Sequence, residues 1–489
     1  MIKNQVTPVV FLLNGTMVSL EIDPSMTALD LLHDTLEMSG TKEGCKEGDC
    51  GACTIAVGTL DKDDCICFKA INSCILPAVK LHGTHVITIE GLKSQGTLHI
   101  IQQHIVNEHG IQCGFCSPGI ILSFFALFAS NPHPTMEEIE IALSGNICRC
   151  TGYEGIRNAG EAVSLHLRDL DNEKVESLIV PKYVASTIED IKQIPFHSGI
   201  SSYRIPRSLS EYEEIATSSV DKYTIQCGAT DLQVRRNLTV SYPPETIVDI
   251  SRIKELQDLK VENNRLIVGS SFTISDLMKH ETMLHYFPEI TQCALVMAST
   301  QIRNVASIAG NIANASPIGD ATIFFLALNA DITIYRVQTK MKETIPLSSF
   351  FISYKNTELN PKDLICSLSI PIIDISKEGK HIINFHKTSK RKQVDIATVN
   401  SCSNIKITKD VITSWTLSFG GVGPIPLSAT FEPLSIPLKN DLSDEELEKI
   451  ATQCVFDSSP ISDVRGSMEY RKLLMKNHII YHYITSAHN

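Results

Sequence analysis

Ten of the fifteen cysteines of this 489-residue chain fall between Cys45 and Cys150, and their spacing limits what that third of the chain can become. They stand as Cys45-x4-Cys50-x2-Cys53 with Cys74 further on, and as Cys113-x2-Cys116 followed by Cys148-x-Cys150. Such spacings bring several thiols into one small volume, which suits either a disulfide framework or metal ligation. The apolar run at residues 9–13 is too short, and its front too weakly basic, for a secretion signal. A cytoplasmic setting is therefore expected, where thiols stay reduced and metal ligation is the better reading. Cys227, Cys293, Cys366, Cys402 and Cys454 are scattered singly, as small buried hydrophobes are.

The length exceeds what one hydrophobic core supports, so three or four domains are expected. With 43% hydrophobic and 20% charged residues the chain should fold throughout. A net charge of −12 and the lack of a basic stripe speak against nucleic acid, because binding a polyanion needs Lys and Arg to displace counterions. The longest apolar stretch, residues 120–129, is about half of what spans a bilayer, so no membrane association is expected.

Apolar residues 9–13, then Asn14-Gly15, then residues 16–22 read as a hairpin, since Asn-Gly supplies the positive φ angles of a type I′ turn. Leu29, Leu32 and Leu36 have helical spacing over 28–38, and the glycine-interleaved cysteine segment 44–57 reads as loop. From Thr97, which can cap the first of them, the pattern turns to helices. One helix reaches about Glu108 and an apolar one covers 118–130; a third opens on the capping box Thr135/Glu138, and a last one runs over about 155–167. Residues 169–200 lack strong periodicity and read as a surface linker. The second half alternates short β-rich runs, such as 246–250 and 265–269, with helices. A further boundary is expected near 376–380.

The first cysteine set has the plant-type ferredoxin spacing for one [2Fe-2S] cluster, with Cys45, Cys50, Cys53 and Cys74 as ligands. Gly44, Gly48 and Gly51 permit left-handed backbone and let peptide N–H groups approach the sulfides. A structural zinc site is the alternative, although zinc more often takes two separated C-x2-C knuckles. Cys65 and Cys67 read as bystanders. Cys113, Cys116, Cys148 and Cys150 form the second set, presented from helix termini.

Two longer motifs surround that second set: Gln112-Cys113-Gly114-Phe115-Cys116-Ser117-Pro118-Gly119 and Gly145-Asn146-Ile147-Cys148-Arg149-Cys150-Thr151-Gly152-Tyr153. They closely resemble the signatures of the xanthine dehydrogenase and aldehyde oxidase family of molybdenum hydroxylases. The resemblance implies a multidomain α+β chain. Residues 1–91 would be a β-grasp ferredoxin-like domain and 92–168 a four-helix [2Fe-2S] domain, with a linker at 169–200. Residues 201–376 would be an α+β FAD-binding domain of the molybdenum-hydroxylase flavoprotein type, and 377–489 a small α+β C-terminal domain. It also implies that Gln112 and Cys150 lie against the pterin of a neighbouring subunit or domain. Glu154-Gly155 stands where the family often has Arg-Pro, a departure at that contact.

In the second half a strand and tight turn at Ile225, Gln226, Cys227, Gly228, Ala229, Thr230, Asp231 and Leu232 can present N–H groups to a pyrophosphate. Residues 307–320 pack small polar side chains where a ligand could lie against backbone, with Asp320 able to accept from a ribityl or ribose hydroxyl. No G-x-G-x-x-G fingerprint supports a Rossmann site. The resemblance continues here and implies FAD. The two segments match the pyrophosphate loop and the second FAD loop, the latter with Ser307, Gly310, Asn311, Ser316 and Asp320. Phe272 matches an aromatic beside the isoalloxazine, Ile365 an adenine or flavin contact, and Lys387 a cation near the flavin's polar edge. Core packing for Phe272 and a solvated surface position for Lys387 are the plain alternatives.

The expected function is electron transfer: electrons from purine hydroxylation at a partner's molybdenum cofactor pass through both clusters to FAD and on to NAD, with oxygen as the other candidate acceptor. A large molybdopterin-binding subunit is the expected partner, in a heterotetramer of two small and two large subunits. An aldehyde, carbon monoxide or nicotinate hydroxylase, and a stand-alone redox sensor, are the alternatives.

Overall fold

Asn14 and Gly15 take φ of 50° and 83°, closing the expected turn between strands Thr7–Leu13 and Thr16–Ile22 in the computed structural model. The structure describes residues 6–93, 96–200, 202–218, 223–239, 246–372, 379–454 and 457–488. It divides into two compact units: Met1–Pro206 with Asp221–Asp249 and Ser299–Ala306, and Arg207–Val220 with Ile250–Ala298 and Ser307–Asn489.

The first unit opens with a five-stranded mixed sheet in the order Thr16–Ile22, Thr7–Leu13, His85–Ile87, Thr54–Leu60, Ile66–Asn72, in which only Thr7–Leu13 and His85–Ile87 run parallel. Val9, Phe11, Leu13, Ile55, Val57 and Val86 bury one face of it against Leu31 and Leu32. The helix expected over 28–38 is a single α turn, Ala28–Asp30, capped by Thr27 and continued by a π-helical stretch, Leu31–Thr35. The cysteine loop ends at Cys53, since strand Thr54–Leu60 begins there and takes in Val57.

Four helices follow at Ile100–Asn107, Ser117–Ser130, Met136–Leu143 and Glu154–Leu167. Thr135 and Glu138 form the capping box foreseen, whereas His99 rather than Thr97 caps the first helix, its ring nitrogen accepting from the Ile101 N–H. The stretch read as a linker instead holds helices Asn172–Ile179, Tyr183–Ser186 and Ile188–Gln193. Val175, Ile179 and Val184 join the same apolar core as Phe124, Phe125 and Phe128. A second sheet in this unit orders Gly199–Ile200, Tyr203–Arg204, Thr246–Asp249 and Tyr223–Gln226, the last three mutually parallel.

The second unit contains an antiparallel sheet ordered Leu259–Glu262, Arg265–Gly269, Leu364–Pro371, Asp331–Arg336, Met341–Pro346. It also contains a meander of Lys380–Thr388, Val399–Thr408, Val411–Gly420 and Leu427–Phe431. Helix Asp320–Ala327 is buried on every side, and it packs on Val399–Thr408 and Val411–Gly420. The core of this meander is built on Trp415, fully buried, whose indole N–H donates to Ser403 Oγ at 2.7 Å. The boundary expected near 376–380 falls largely on residues 373–378, outside the described residues; the chain resumes as strand at Lys380.

Candidate cofactor sites

The first four thiols converge as the spacing requires. Cys45 lies within hydrogen-bonding reach of Cys50 and Cys74, and Cys74 also of Cys53. Ionising one thiol in such a group holds protons on its neighbours: Cys45 is pushed down by Cys50 and Cys74, and Cys50 and Cys74 are pushed up. Cys53 and Cys74 are 1% and 2% exposed, in contact with Leu29, Ile75, Val234 and Ile302. The Glu47 N–H points at Cys45 Sγ from 3.3 Å. A Cβ on Gly44 would stand 2.7 Å from Cys50 Sγ, so glycine is what lets the loop close over the thiols. Cys65 and Cys67 are exposed near Asp61, apart from this group.

The second group was expected at helix termini, but only Cys116 stands at one, as the N-cap of Ser117–Ser130; Cys113, Cys148 and Cys150 lie in the segments between helices. Cys113 and Cys150 Sγ are 3.4 Å apart and exposed, while Cys116 and Cys148 are buried and face one another. Burial, then the neighbouring Cys148, pushes the Cys116 thiol up to about 12. The Cys148 N–H donates to Tyr153 Oη at 2.9 Å, and Thr151 Oγ1 lies 3.1 Å from Cys148 Sγ. Gly155 has its own reason: a Cβ there would strike the Glu108 carbonyl oxygen at 2.3 Å. Exposed Ile111, Phe115 and Tyr153 lie in the segments that carry these cysteines.

Among the described residues no three or more His, Cys, Asp or Glu side chains are grouped so as to hold a metal ion. The first group nonetheless brings four thiols into mutual reach, and the second pairs Cys113 with Cys150 and Cys116 with Cys148. Four thiols per group match the donor set of a two-iron rhomb, which needs two thiolates on each iron.

Ile225–Leu232 belongs to the first unit and forms the end of strand Tyr223–Gln226, a turn, and the start of helix Leu232–Leu238. A Cβ on Gly228 would meet the Val305 carbonyl oxygen at 2.1 Å, and Ala229 takes φ of 60°, so the turn is drawn tight against its neighbour. Gln226 donates to Tyr203 Oη at 2.7 Å, and Tyr203 donates to Asp249, which pairs with Lys80 at 2.7 Å. Among the described residues the buried Gln226 Oε1 has no hydrogen-bond partner. Asp231 is exposed and pairs with Arg235.

The other flavin residues read from the sequence lie in the second unit. Ser307 caps helix Ile308–Ala313, accepting from the Gly310 N–H, and bridges to Thr273 beside Phe272. The Phe272 carbonyl accepts from Ile308 N–H, and the half-buried ring meets His280 edge-on. Asn311 accepts from Thr322, and Ser316 from the Ile318 N–H. Among the described residues the buried Ser270 Oγ has no hydrogen-bond partner.

Lys387 is no solvated surface cation: its side chain is 4% exposed, and its ammonium donates to Asp320 Oδ2 at 2.7 Å and to the Val296 carbonyl at 2.9 Å. Asn400, opposite Lys387 in the strand register, donates to Asp320 Oδ1 at 2.6 Å. Burial pushes the Asp320 carboxyl up, and Lys387 and Asn400 oppose that shift. Both Asp320 oxygens are thus engaged within the protein. Ile365 is buried in strand Leu364–Pro371, paired with Ile334.

Three family models match. Residues 88–161 match a [2Fe-2S] binding domain, 196–373 the FAD binding domain in molybdopterin dehydrogenase, and 384–485 the CO dehydrogenase flavoprotein C-terminal domain. Xanthine dehydrogenase from Emericella nidulans is 32% identical over 473 residues, spanning 86% of this chain and 34% of that protein. The chain belongs to the molybdenum hydroxylase family. Xanthine dehydrogenase/oxidase from Rattus norvegicus is 29% identical over 97% of this chain and 39% of its own length, so the chain spans little over a third of these curated relatives. Among solved structures, carbon monoxide dehydrogenase from Hydrogenophaga pseudoflava covers 60% of this chain and 99% of its own, with TM-score 0.52 and 18% identity. Quinoline 2-oxidoreductase from Pseudomonas putida 86 covers 60% and 98%, with TM-score 0.52 and 20% identity. These are likenesses of fold. As a molybdenum hydroxylase chain it carries iron–sulfur and FAD-binding domains. Among the described residues no helix is long and apolar enough to cross a membrane.

Sequence reasoning missed Asn400, Tyr203, Asp249 and Ser270. None carries a local motif; strand register and packing alone bring them to these sites.

Proposed function

We propose that the chain is the iron–sulfur and flavin component of a xanthine dehydrogenase, taking electrons from purine hydroxylation at a large molybdopterin-binding partner and delivering them to NAD. The observation that carries this is the gathering of eight thiols into two groups of four on two separately built supports, with the family's FAD-binding segments beyond them. Cys45, Cys50, Cys53 and Cys74 would hold one cluster, and Cys113, Cys116, Cys148 and Cys150 the other. The loop Ile225–Leu232, and Phe272, Ser307, Gly310, Asn311, Ser316, Asp320, Ile365 and Lys387, are the residues proposed for FAD.

Bound there, the clusters supply single-electron transfer and FAD the pairing of two electrons for a hydride acceptor. The protein's own share is geometric and electrostatic. Glycines 44, 48 and 51 let backbone N–H groups close on the first thiol group, which favours added negative charge. Lys387, neutralised by Asp320, fixes the end of strand Lys380–Thr388 without leaving an uncompensated buried cation. Exposed Cys113 and Cys150, with Gln112 and Phe115 in the same loop, give the partner a face on which to dock, in a heterotetramer of two copies of each chain.

Purification with the large partner under anaerobic conditions tests the reading. About four irons per chain and one FAD, bleached by hypoxanthine and reoxidised by NAD, support it. Bleaching by an aldehyde, carbon monoxide or nicotinate instead moves the substrate, and fast reoxidation only by oxygen moves the acceptor. A chain that purifies without a molybdopterin partner and binds an unrelated target supports a redox sensor, and zinc in place of iron ends the account.

A further inference from the structure

The loop proposed for the FAD pyrophosphate is braced at both ends by the domain that carries the first thiol group. At the strand end, Lys80 pairs with Asp249, which ties in Tyr203 and Gln226. At the helix end stands Asn237, on helix Leu232–Leu238, whose second residue, Gln233, donates its backbone N–H to the loop's Ala229 carbonyl at 2.8 Å. The Asn237 amide nitrogen donates to the Cys74 carbonyl at 2.9 Å and to the Lys46 carbonyl at 2.8 Å. Its Oδ1 accepts from Gln233 Nε2 at 3.2 Å, and Gln233 is 2% exposed. A flipped amide would turn oxygen toward two carbonyl oxygens, so the chemistry fixes which way it faces.

The two acceptors matter. Cys74 is a proposed cluster ligand, and Lys46 follows another, Cys45, with φ of 59°, a left-handed conformation that a residue with a Cβ holds at a cost. Asn237 thus steadies the backbone beside two of the four thiols from a helix that begins at the nucleotide loop. Val234, one turn earlier, packs on Cys53 and Cys74.

We propose that Asn237 is a positioning residue that couples the first cluster to the FAD loop. Resting on the cluster and flavin assignments above, it acts in two directions. Its amide dipole presents its positive end to the ligand peptides, favouring the reduced and more negative cluster. Its hydrogen bonds also hold the helix that shapes the loop.

The test uses the holoprotein and Asn237→Leu, similar in size but without donors, with Leu238→Ala, an exposed position on the same helix, as the control. The midpoint potential of each cluster is read by paramagnetic resonance during a redox titration, and FAD affinity by flavin release. In Asn237→Leu the first cluster's potential should fall, FAD should bind about tenfold more weakly, as losing roughly one net hydrogen bond implies, and the second cluster should not move. Leu238→Ala should leave the first cluster's potential in place. An unchanged potential and FAD affinity in Asn237→Leu, or an equal shift in Leu238→Ala, overturns the proposal while the clusters remain. A wild-type chain without iron overturns the cluster assignment instead.

Discussion

The two thiol groups use the same four-cysteine chemistry from opposite surroundings. The first is set in a glycine-lined loop, with Cys53 and Cys74 almost wholly covered; the second is held by the segments between helices, with Cys113 and Cys150 open to solvent. A loop can wrap its ligands because glycines tolerate close approach, whereas the segments between helices leave two of theirs at the surface. The difference suits an internal relay on one side and a docking face on the other. The groups are not independent, however. Asn146 donates to the Gly51 carbonyl at 3.1 Å, and the Ile147 N–H donates to the Cys50 carbonyl at 2.9 Å, so the loop of one leans on the turn of the other.

The largest way to break the contrast is Gly51→Ala. Gly51 has φ of 67°, and a Cβ there would stand 2.2 Å from the Gly145 carbonyl oxygen, so the change should disturb both groups and lower iron in each. Retention of full iron would show that the groups tolerate separation.

Exposure predicts the next effect. A water-soluble iron chelator should strip the second cluster well before the first, followed by the decay of each resonance signal. Equal rates would remove the distinction between buried and open sites.

A smaller effect is acid sensitivity. His85, fully buried in strand His85–Ile87, is held down to about 4 by burial, and its Nε2 accepts from the Gly15 N–H. Unfolded histidine takes up a proton below about pH 6.5, so the unfolded state binds more protons and stability falls as pH drops from there toward about 4. Thermal melts across that range should fall less steeply in His85→Gln. His99, in the helical region, shifts the same way by burial, so His85→Gln should flatten the slope without abolishing it.

The smallest is Thr135→Ala. Removing this capping box should cost about 1 kcal/mol, seen in denaturant melts, with no change at the first thiol group.

What could be read from the sequence was what is local. Asn14-Gly15, Thr135 with Glu138 and the cysteine spacings each act within a few residues, so pattern and structure agree there. The helices over 172–193 escaped because charged residues dilute their apolar positions, and only packing on the Phe124 core makes Val175 and Ile179 informative. The start of the first helix was misplaced because a histidine ring, not the threonine hydroxyl, accepts the cap bond. Asn400 and Asn237 were invisible for a stronger reason: each gains its role from partners 80 and 163 residues away in sequence.

The central claim is that eight cysteines hold two distinct [2Fe-2S] clusters. It is tested most directly by paramagnetic resonance of the dithionite-reduced holoprotein beside Cys50→Ser and Cys113→Ser. The account predicts two signals in the wild type, with each variant losing or altering a different one and keeping the other. A spectrum unchanged in either variant, or one signal lost in both, would contradict it.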